Sequence, residues 1–338
     1  MAAPSPFVLL GSGCIKPKQL IIETPVPNLV CGLSPGKKAC VRKKVDGNED
    51  SLALHRGPQG EQCLVLADGH FGRFSGEWAV QKFGSLLFPL KALSPPTLSH
   101  LMVHLTLDHQ IRAHNDSLNP AKLRSSTTLL SVTLHPEGFT FCSTGDSHLF
   151  LYREAQLREV TSSESNLFVG DPQTYPLRIF SVLTRMGIID VVMEEGEQVA
   201  VLHELAAMSQ KVLLAEIGQS EVEQTLSRVA RLTGLAFPFS GEELCSPWHP
   251  LHLALRETPR FGSLAVKPGD LLLMASDGID EEVSGMSAGD IEQILAGHGS
   301  LEEKARNLLR QSLGPKGGMD NLALWLIDPN GNQLGRTQ

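Results

Sequence analysis

Gln62-Cys63-Leu64-Val65-Leu66-Ala67-Asp68-Gly69-His70 is the stretch that decides how the chain is read. Its first six residues are almost wholly apolar and have the length of a strand buried on both faces. The run stops at an Asp followed by a Gly, which lets the backbone turn and approach its neighbours closely. The same arrangement recurs along the chain. Asp277-Gly278 follows DLLLMAS, Asp320 in Gly317-Gly318-Met319-Asp320-Asn321 precedes LALWLI, and Asn48-Glu49-Asp50 precedes SLAL. A single Asp at a strand end is ordinary turn chemistry. Four at the ends of four buried strands repel one another unless something cationic sits between them. Hard oxygen ligands suit Mg²⁺ or Mn²⁺ rather than zinc. Two such ions can clamp a phosphate and acidify a shared water into a nucleophile. The residues alone point to a two-metal hydrolase.

Around these points the remaining elements fall into place. Ser75–Leu93 and Thr97–Ala113 have helical spacing, and a meander of strands is expected at Thr128–Leu134, Phe139–Ser143 and His148–Tyr152, with a turn at His135-Pro136-Glu137-Gly138. Helices are expected over Val199–Met208, Val222–Leu232, Ile291–Ala296 and Leu301–Leu313. Residues 1–27 read as an extended Pro-containing leader, 28–330 as a single domain with an atypical helical or linker insert at about 154–262, and 331–338 as a tail.

Composition narrows the function classes. The 338 residues are 41% hydrophobic and 20% charged, an ordinary globular profile long enough for a sizeable core. A net charge of −8 argues against a broad electrostatic grip on nucleic acid or anionic lipid. No apolar run reaches the roughly 18–20 residues of a spanning helix. The six cysteines show no C-x-x-C pair or zinc spacing and read as buried thiols, so a reducing cytoplasm is the expected location.

Six islands then occur in order: Asn48-Glu49-Asp50-Ser51, Ala67-Asp68-Gly69-His70, Ser126-Thr127-Thr128, Thr144-Gly145-Asp146-Ser147, Ala275-Ser276-Asp277-Gly278 and Gly318-Met319-Asp320-Asn321. Together they resemble the motif series of the metal-dependent type 2C serine/threonine protein phosphatases. The resemblance implies an α+β fold, an αββα sandwich of two mainly antiparallel sheets flanked by helices. It implies two Mn²⁺ or Mg²⁺ ions held by Asp50, Asp68, the Gly69 carbonyl, Asp277 and Asp320, directly or through water. Glu49 would stand behind them and Asn321 would orient Asp320. His70 matches the family's proposed general acid for the departing alkoxide. The implied reaction is hydrolysis of phosphoserine or phosphothreonine in proteins by a metal-bridging hydroxide, with no phosphoenzyme and no essential Cys.

The departures are equally specific. Val45 stands at the gap-free match to the family's phosphate-binding basic residue. An insertion at Asp46-Gly47 would return Arg42 to that role, its bidentate fork suiting phosphate better than Lys43 or Lys44. Leu123 replaces an Asp associated with a third ion, which leaves a third metal doubtful, although Asp280 or Glu281 could fill a neighbouring place. His148 follows Asp146-Ser147 where the family usually has Arg, and Asp146 reads as a structural tie. The insert matches no family motif and is a candidate site for a regulatory partner.

Competing signals are weaker. Gly32-Leu33-Ser34-Pro35-Gly36 matches the G-x-S-x-G elbow, but Pro35 lacks the N–H that mechanism needs. His100 and His104 stand one turn apart without the Glu of a zinc motif and read as a solvated helix face. Two alternatives stay open: a catalytically degenerate scaffold or binding module on the same fold, and a phosphatase of small phosphorylated molecules.

Overall fold

The computed structural model describes residues 5–37, 47–70, 72–91, 96–117, 125–161, 167–169, 189–194, 197–202, 260–314 and 317–331. The first sheet runs in the order β1 (Phe7–Leu10), β4 (Ser51–Arg56), β5 (Gln62–Ala67), β8 (Leu129–His135), β9 (Gly138–Thr144) and β15 (Arg260–Ala265). The second runs β11 (Gln156–Glu159), β10 (His148–Arg153), β16 (Leu271–Ala275), β17 (Leu322–Ile327), β3 (Leu29–Ser34) and β2 (Ile21–Val26). Every described pairing within both sheets is antiparallel. A two-residue ribbon joins β6 (Gly69–His70) to β7 (Ser126–Thr127). Helices α1 (Phe74–Lys91) and α2 (Pro96–Ser117) cover the first sheet. The short α3 (Glu281–Ser284), α4 (Ala288–Ala296) and α5 (Leu301–Ser312) lie at the second, where α4 and α5 supply its apolar cover. This is the expected αββα sandwich.

The period-2 alternation of each central strand explains why its sequence is continuously apolar. In β5, Leu64 and Leu66 enter the core between the sheets while Cys63, Val65 and Ala67 face α1 and α2. In β17, Ala323, Trp325 and Ile327 point inward while Leu322, Leu324 and Leu326 meet α4 and α5. Neither face sees water, so neither needs polar residues. Burying each of these large side chains is worth roughly 1.5–3 kcal/mol. Trp325 also ties the sheets together, its Nε1 donating to the Val65 carbonyl at 3.1 Å. Helix α5 starts at a capping box between Ser300 and Glu303 and buries Ala305, Leu308, Leu309 and Ser312 along one stripe.

Three expectations require correction. Residues 1–27 are no mere leader, because Phe7–Leu10 and Ile21–Val26 form an edge strand of each sheet. Both are half-buried: β1 is a short apolar run at the sheet edge, and β2 is broken by exposed Glu23 and Thr24. Val199–Leu202, expected to be helical, belongs instead to β14 (Glu197–Leu202), paired with β13 (Ile189–Glu194) and β12 (Leu167–Val169). The β-branched Val199 and Val201 favour that outcome. Residues 203–208, Val222–Leu232, and Arg42 to Val45 with Leu123 lie outside the described residues.

The third correction concerns His100 and His104, which are fully buried between α2 and the first sheet rather than solvated. His100 meets Ser131 Oγ through Nδ1 and Thr133 Oγ1 through Nε2, both at 2.8 Å. His104 meets Thr144 Oγ1 through Nδ1 at 2.7 Å and Ser131 Oγ through Nε2 at 2.9 Å. Burial drives His104 down to about 3 and His100 well below the usual histidine range, so both rings are neutral.

Candidate active site

The acidic strand ends meet at one edge of the sandwich. Asp50 opens β4, and Asp68 links β5 to β6. These neighbours bring Asp50 and Asp68 together through the Ser51↔Ala67 pairing. On the second sheet, Asp277 leaves β16 in a single 3₁₀ turn, Asp277–Ile279, and Asp320 stands two residues before β17, the strand paired with β16. Asp50 is fully buried, Asp68 and Glu49 nearly so, and Asp277 and Asp320 are half-buried.

The convergence shows in the chemistry of Asp277. Burial raises its carboxyl above the usual range, and the charges of Asp320 and Asp146 raise it further. A hydrogen bond with Asp68 and the proximity of His70 work in the other direction. Carboxylates brought this close raise one another's pKa unless a cation lies among them. Asp146 is exposed, and its charge bears on Asp277, a placement that the reading of it as a structural tie did not include. His70 sits on β6, its Nδ1 3.9 Å from Asp68 Oδ1 and its side chain 25% exposed.

Several supporting groups had no assigned role in the sequence. Ser276 donates from Oγ to Asp50 Oδ2 at 2.7 Å, accepts from the Ala323 N–H at 2.9 Å, and donates its own N–H to the Ala323 carbonyl at 3.0 Å. One buried hydroxyl thus couples the first sheet's carboxylate to two strands of the second. The Ser126-Thr127-Thr128 island cradles Asp68: its carbonyl accepts from Thr127 Oγ1 and from the Thr128 N–H, both at 2.8 Å, and its N–H reaches Thr128 Oγ1 at 3.2 Å. Both groups lie in motif islands read from the sequence, but their hydrogen-bond partners were not.

Asn321 and Glu49 knit the other side. Asn321 Oδ1 accepts from the Glu49 N–H at 3.0 Å, and Nδ2 donates to the carbonyls of Pro35 and Gly47 at 3.0 and 3.3 Å. Its own N–H reaches Asp320 Oδ1 at 2.7 Å. Glu49 Oε1 accepts from the Gly72 N–H at 2.8 Å. The glycines allow this crowding. A Cβ on Gly69 would lie 2.6 Å from the Glu49 carbonyl oxygen, and one on Gly278 would collide with the Asn321 carbonyl.

Among the described residues, no three His, Cys, Asp or Glu side chains are close enough to cage an ion by themselves. The donors are all oxygen, a set that suits Mg²⁺ or Mn²⁺ rather than zinc, and a divalent cation among these carboxylates would offset their mutual repulsion.

Comparison with known proteins agrees with this architecture. The protein phosphatase 2C family matches residues 41–326. Protein phosphatase PhpP of Streptococcus pneumoniae is 22% identical over 295 residues, covering 86% of this chain and 95% of that protein. The S. agalactiae serine/threonine phosphatase has the same fold, with a TM-score of 0.51 and 16% identity across 91% of this chain and 98% of its own. A variant of a bacterial serine phosphatase superposes with the same TM-score of 0.51, at 16% identity over 91% and 96% of the two chains. The molecule is thus an αββα sandwich with a carboxylate-lined edge, the architecture of serine/threonine phosphatases. The chain belongs to the protein phosphatase 2C family, a family of phosphoric monoester hydrolases.

Proposed function

We propose that this chain is a Mn²⁺- or Mg²⁺-dependent phosphatase of phosphoserine and phosphothreonine in proteins. The observation that carries the reading is the gathering of Asp50, Asp68, Asp277 and Asp320 at the ends of neighbouring strands, with Ser276 bonding to Asp50 across the two sheets. Asp50, Asp68, the Gly69 carbonyl, Asp277 and Asp320 would hold two ions, directly or through water. Ions bound there would neutralise phosphate charge and acidify a water enough for attack near neutral pH.

The chain's own groups do the rest. Ser276 fixes Asp50, the threonines after Ser126 fix the Asp68 backbone, and Asn321 fixes Asp320 and the Glu49 backbone. His70, partly open to solvent beside Asp68, is placed to deliver a proton to the departing serine or threonine oxygen. Arg42 remains the proposed phosphate ligand. The four described cysteines, Cys14, Cys31, Cys63 and Cys142, are buried free thiols, which suits a mechanism without a thiol nucleophile and a cytoplasmic location. No described helix is long and apolar enough to cross a membrane. The catalytic unit is one domain that takes in β1 and β2, and the segment within 154–262 is where a regulatory partner would bind.

The test is hydrolysis of p-nitrophenyl phosphate and of a phosphothreonine peptide with Mn²⁺, Mg²⁺ or EDTA, for wild type and Asp68→Asn. Metal-dependent turnover of both substrates, lost in the variant, is expected. Full turnover in EDTA, or in Asp68→Asn, would sink the reading. Turnover of a phosphorylated metabolite with none of the peptide would move the substrate to small molecules.

A further inference from the structure

His148 begins β10 and pairs with Ala275, the last residue of β16, so it stands beside the point where Asp277 leaves the sheet. Its Nδ1 donates to Glu159 Oε1 at 2.7 Å, and its Nε2 lies 2.8 Å from Asp280 Oδ1. The ring stacks on Phe150 with centroids 5.4 Å apart, and the side chain is 16% exposed. Nδ1 makes an aligned hydrogen bond to Glu159, whereas Nε2 faces Asp280 at ion-pair distance without hydrogen-bond alignment. Burial alone would lower its pKa, but the contacts with Asp280 and Glu159 outweigh that and raise it to about 10.

The two carboxylates belong to different pieces of the fold. Glu159 is on β11, in the hairpin with β10. Asp280 closes the 3₁₀ turn, its N–H donating to the Asp277 carbonyl at 2.9 Å, and its carbonyl accepts from the Val283 and Ser284 N–H groups of α3 at 2.9 and 2.6 Å. On the opposite side, Ser276 already holds the turn to Asp50 and β17. The ring therefore fastens the free end of a short turn whose first residue is Asp277.

We propose that His148 is a positioning residue for the metal site, a ring wedged between Glu159 and Asp280 that sets the direction of Asp277. The proposal rests on the phosphatase reading. An exposed ion pair would add only tenths of a kcal/mol of stability and leave ligand geometry alone. A charge bridging a ligand-bearing turn to a hairpin acts on the ligand itself.

Calorimetric titration with Mn²⁺, beside thermal unfolding of the metal-free proteins, tests this in the full chain. His148→Gln is expected to weaken Mn²⁺ binding about 10–100-fold, the range for loss of a group that orients a metal ligand. His148→Arg, whose planar fork can meet both carboxylates, is expected to return within about threefold of wild type. A His148→Gln chain that binds Mn²⁺ as tightly as wild type overturns the proposal. So does a folded Arg variant no better than Gln, since charge would then not be the agent. If the Gln variant does not fold, Asp280→Asn carries the test, because it leaves the ring in place and alters a side chain that is 46% exposed. Weakened Mn²⁺ binding by that variant is expected, and unchanged binding overturns the proposal. Wild type that binds no Mn²⁺ is a different failure, that of the phosphatase reading itself.

Discussion

The acidic edge and the histidine layer under α2 are both built from polar groups that the fold has withdrawn from water. In the layer, each ring nitrogen of His100 and His104 meets a hydroxyl, the rings are neutral, and Ser131 is shared between them. The hydrogen bonding closes on itself and calls for no ligand. At the edge the carboxyls of Asp68 and Asp277 share a hydrogen bond while Asp320 and Asp146 press further negative charge on them. The bond to Asp68 and the nearby His70 act against that pressure, and the net direction at Asp277 remains upward. Burial of polar residues thus has two meanings: a closed network specifies packing, whereas gathered like charges mark a place that would favour a cation.

The largest effect that would sharpen the contrast is at the edge. Asp277→Asn should lower metal-dependent turnover by more than the roughly 10–100-fold expected for loss of a supporting partner. It should also raise the melting temperature of the metal-free protein, since it removes a charge held against its neighbours. A lower melting temperature would say that the carboxylate contributes stability, as the histidine layer does. Ser276→Ala comes next. It removes the bond to Asp50 and strands the buried Ala323 N–H, so a stability loss of about 1–3 kcal/mol is expected together with weaker Mn²⁺ binding. Denaturant unfolding and metal titration read the two effects separately.

The layer is probed by pH. His104 has a folded pKa of about 3, against roughly 6.5 in the unfolded chain. Its unfolded form therefore takes up a proton first, and stability falls as pH drops below about 6.5 until the folded ring titrates. Between pH 7 and 5.5, His100 and His104 should each remove roughly 1 kcal/mol of unfolding free energy. Urea unfolding of wild type and His104→Gln at both pH values checks this. The variant should be less stable at pH 7 yet show a shallower decline. An equal decline would mean that the rings are not the neutral, closed pair described. The smallest effect belongs to the thiols. Cys63, raised to about 12 by burial, should be replaceable by Ala with turnover within about twofold, measured with the same metal.

The central strands were legible because they lie between a second sheet and a helix layer, which forces continuous apolar runs such as QCLVLA and LALWLI. The Asp residues were legible because they terminate those runs. Edge strand β1 is apolar but short, and β2 is interrupted by exposed Glu23 and Thr24, so neither stood out from a leader. His100 and His104 were misplaced because a polar type at helical spacing normally faces water. Only knowledge of Ser131, Thr133 and Thr144 on the facing strands would have reversed that expectation. Likewise Ser276 sat inside a recognised island, but its link to Asp50 spans 226 positions of sequence and is a property of the fold alone.

Strand β17 lies at the centre of its sheet, between β16 and β3. Its pairing with β3 sets Ile327 opposite Leu29, far apart in sequence. A growing chain can close the hairpins of the first sheet early, but the second sheet waits for Leu322–Ile327, and such distant pairings form slowly. Asp320 enters with that strand. A nascent or truncated polypeptide lacking this strand would hold an incomplete set of acids, so the proposed activity would report that translation has run through to β17.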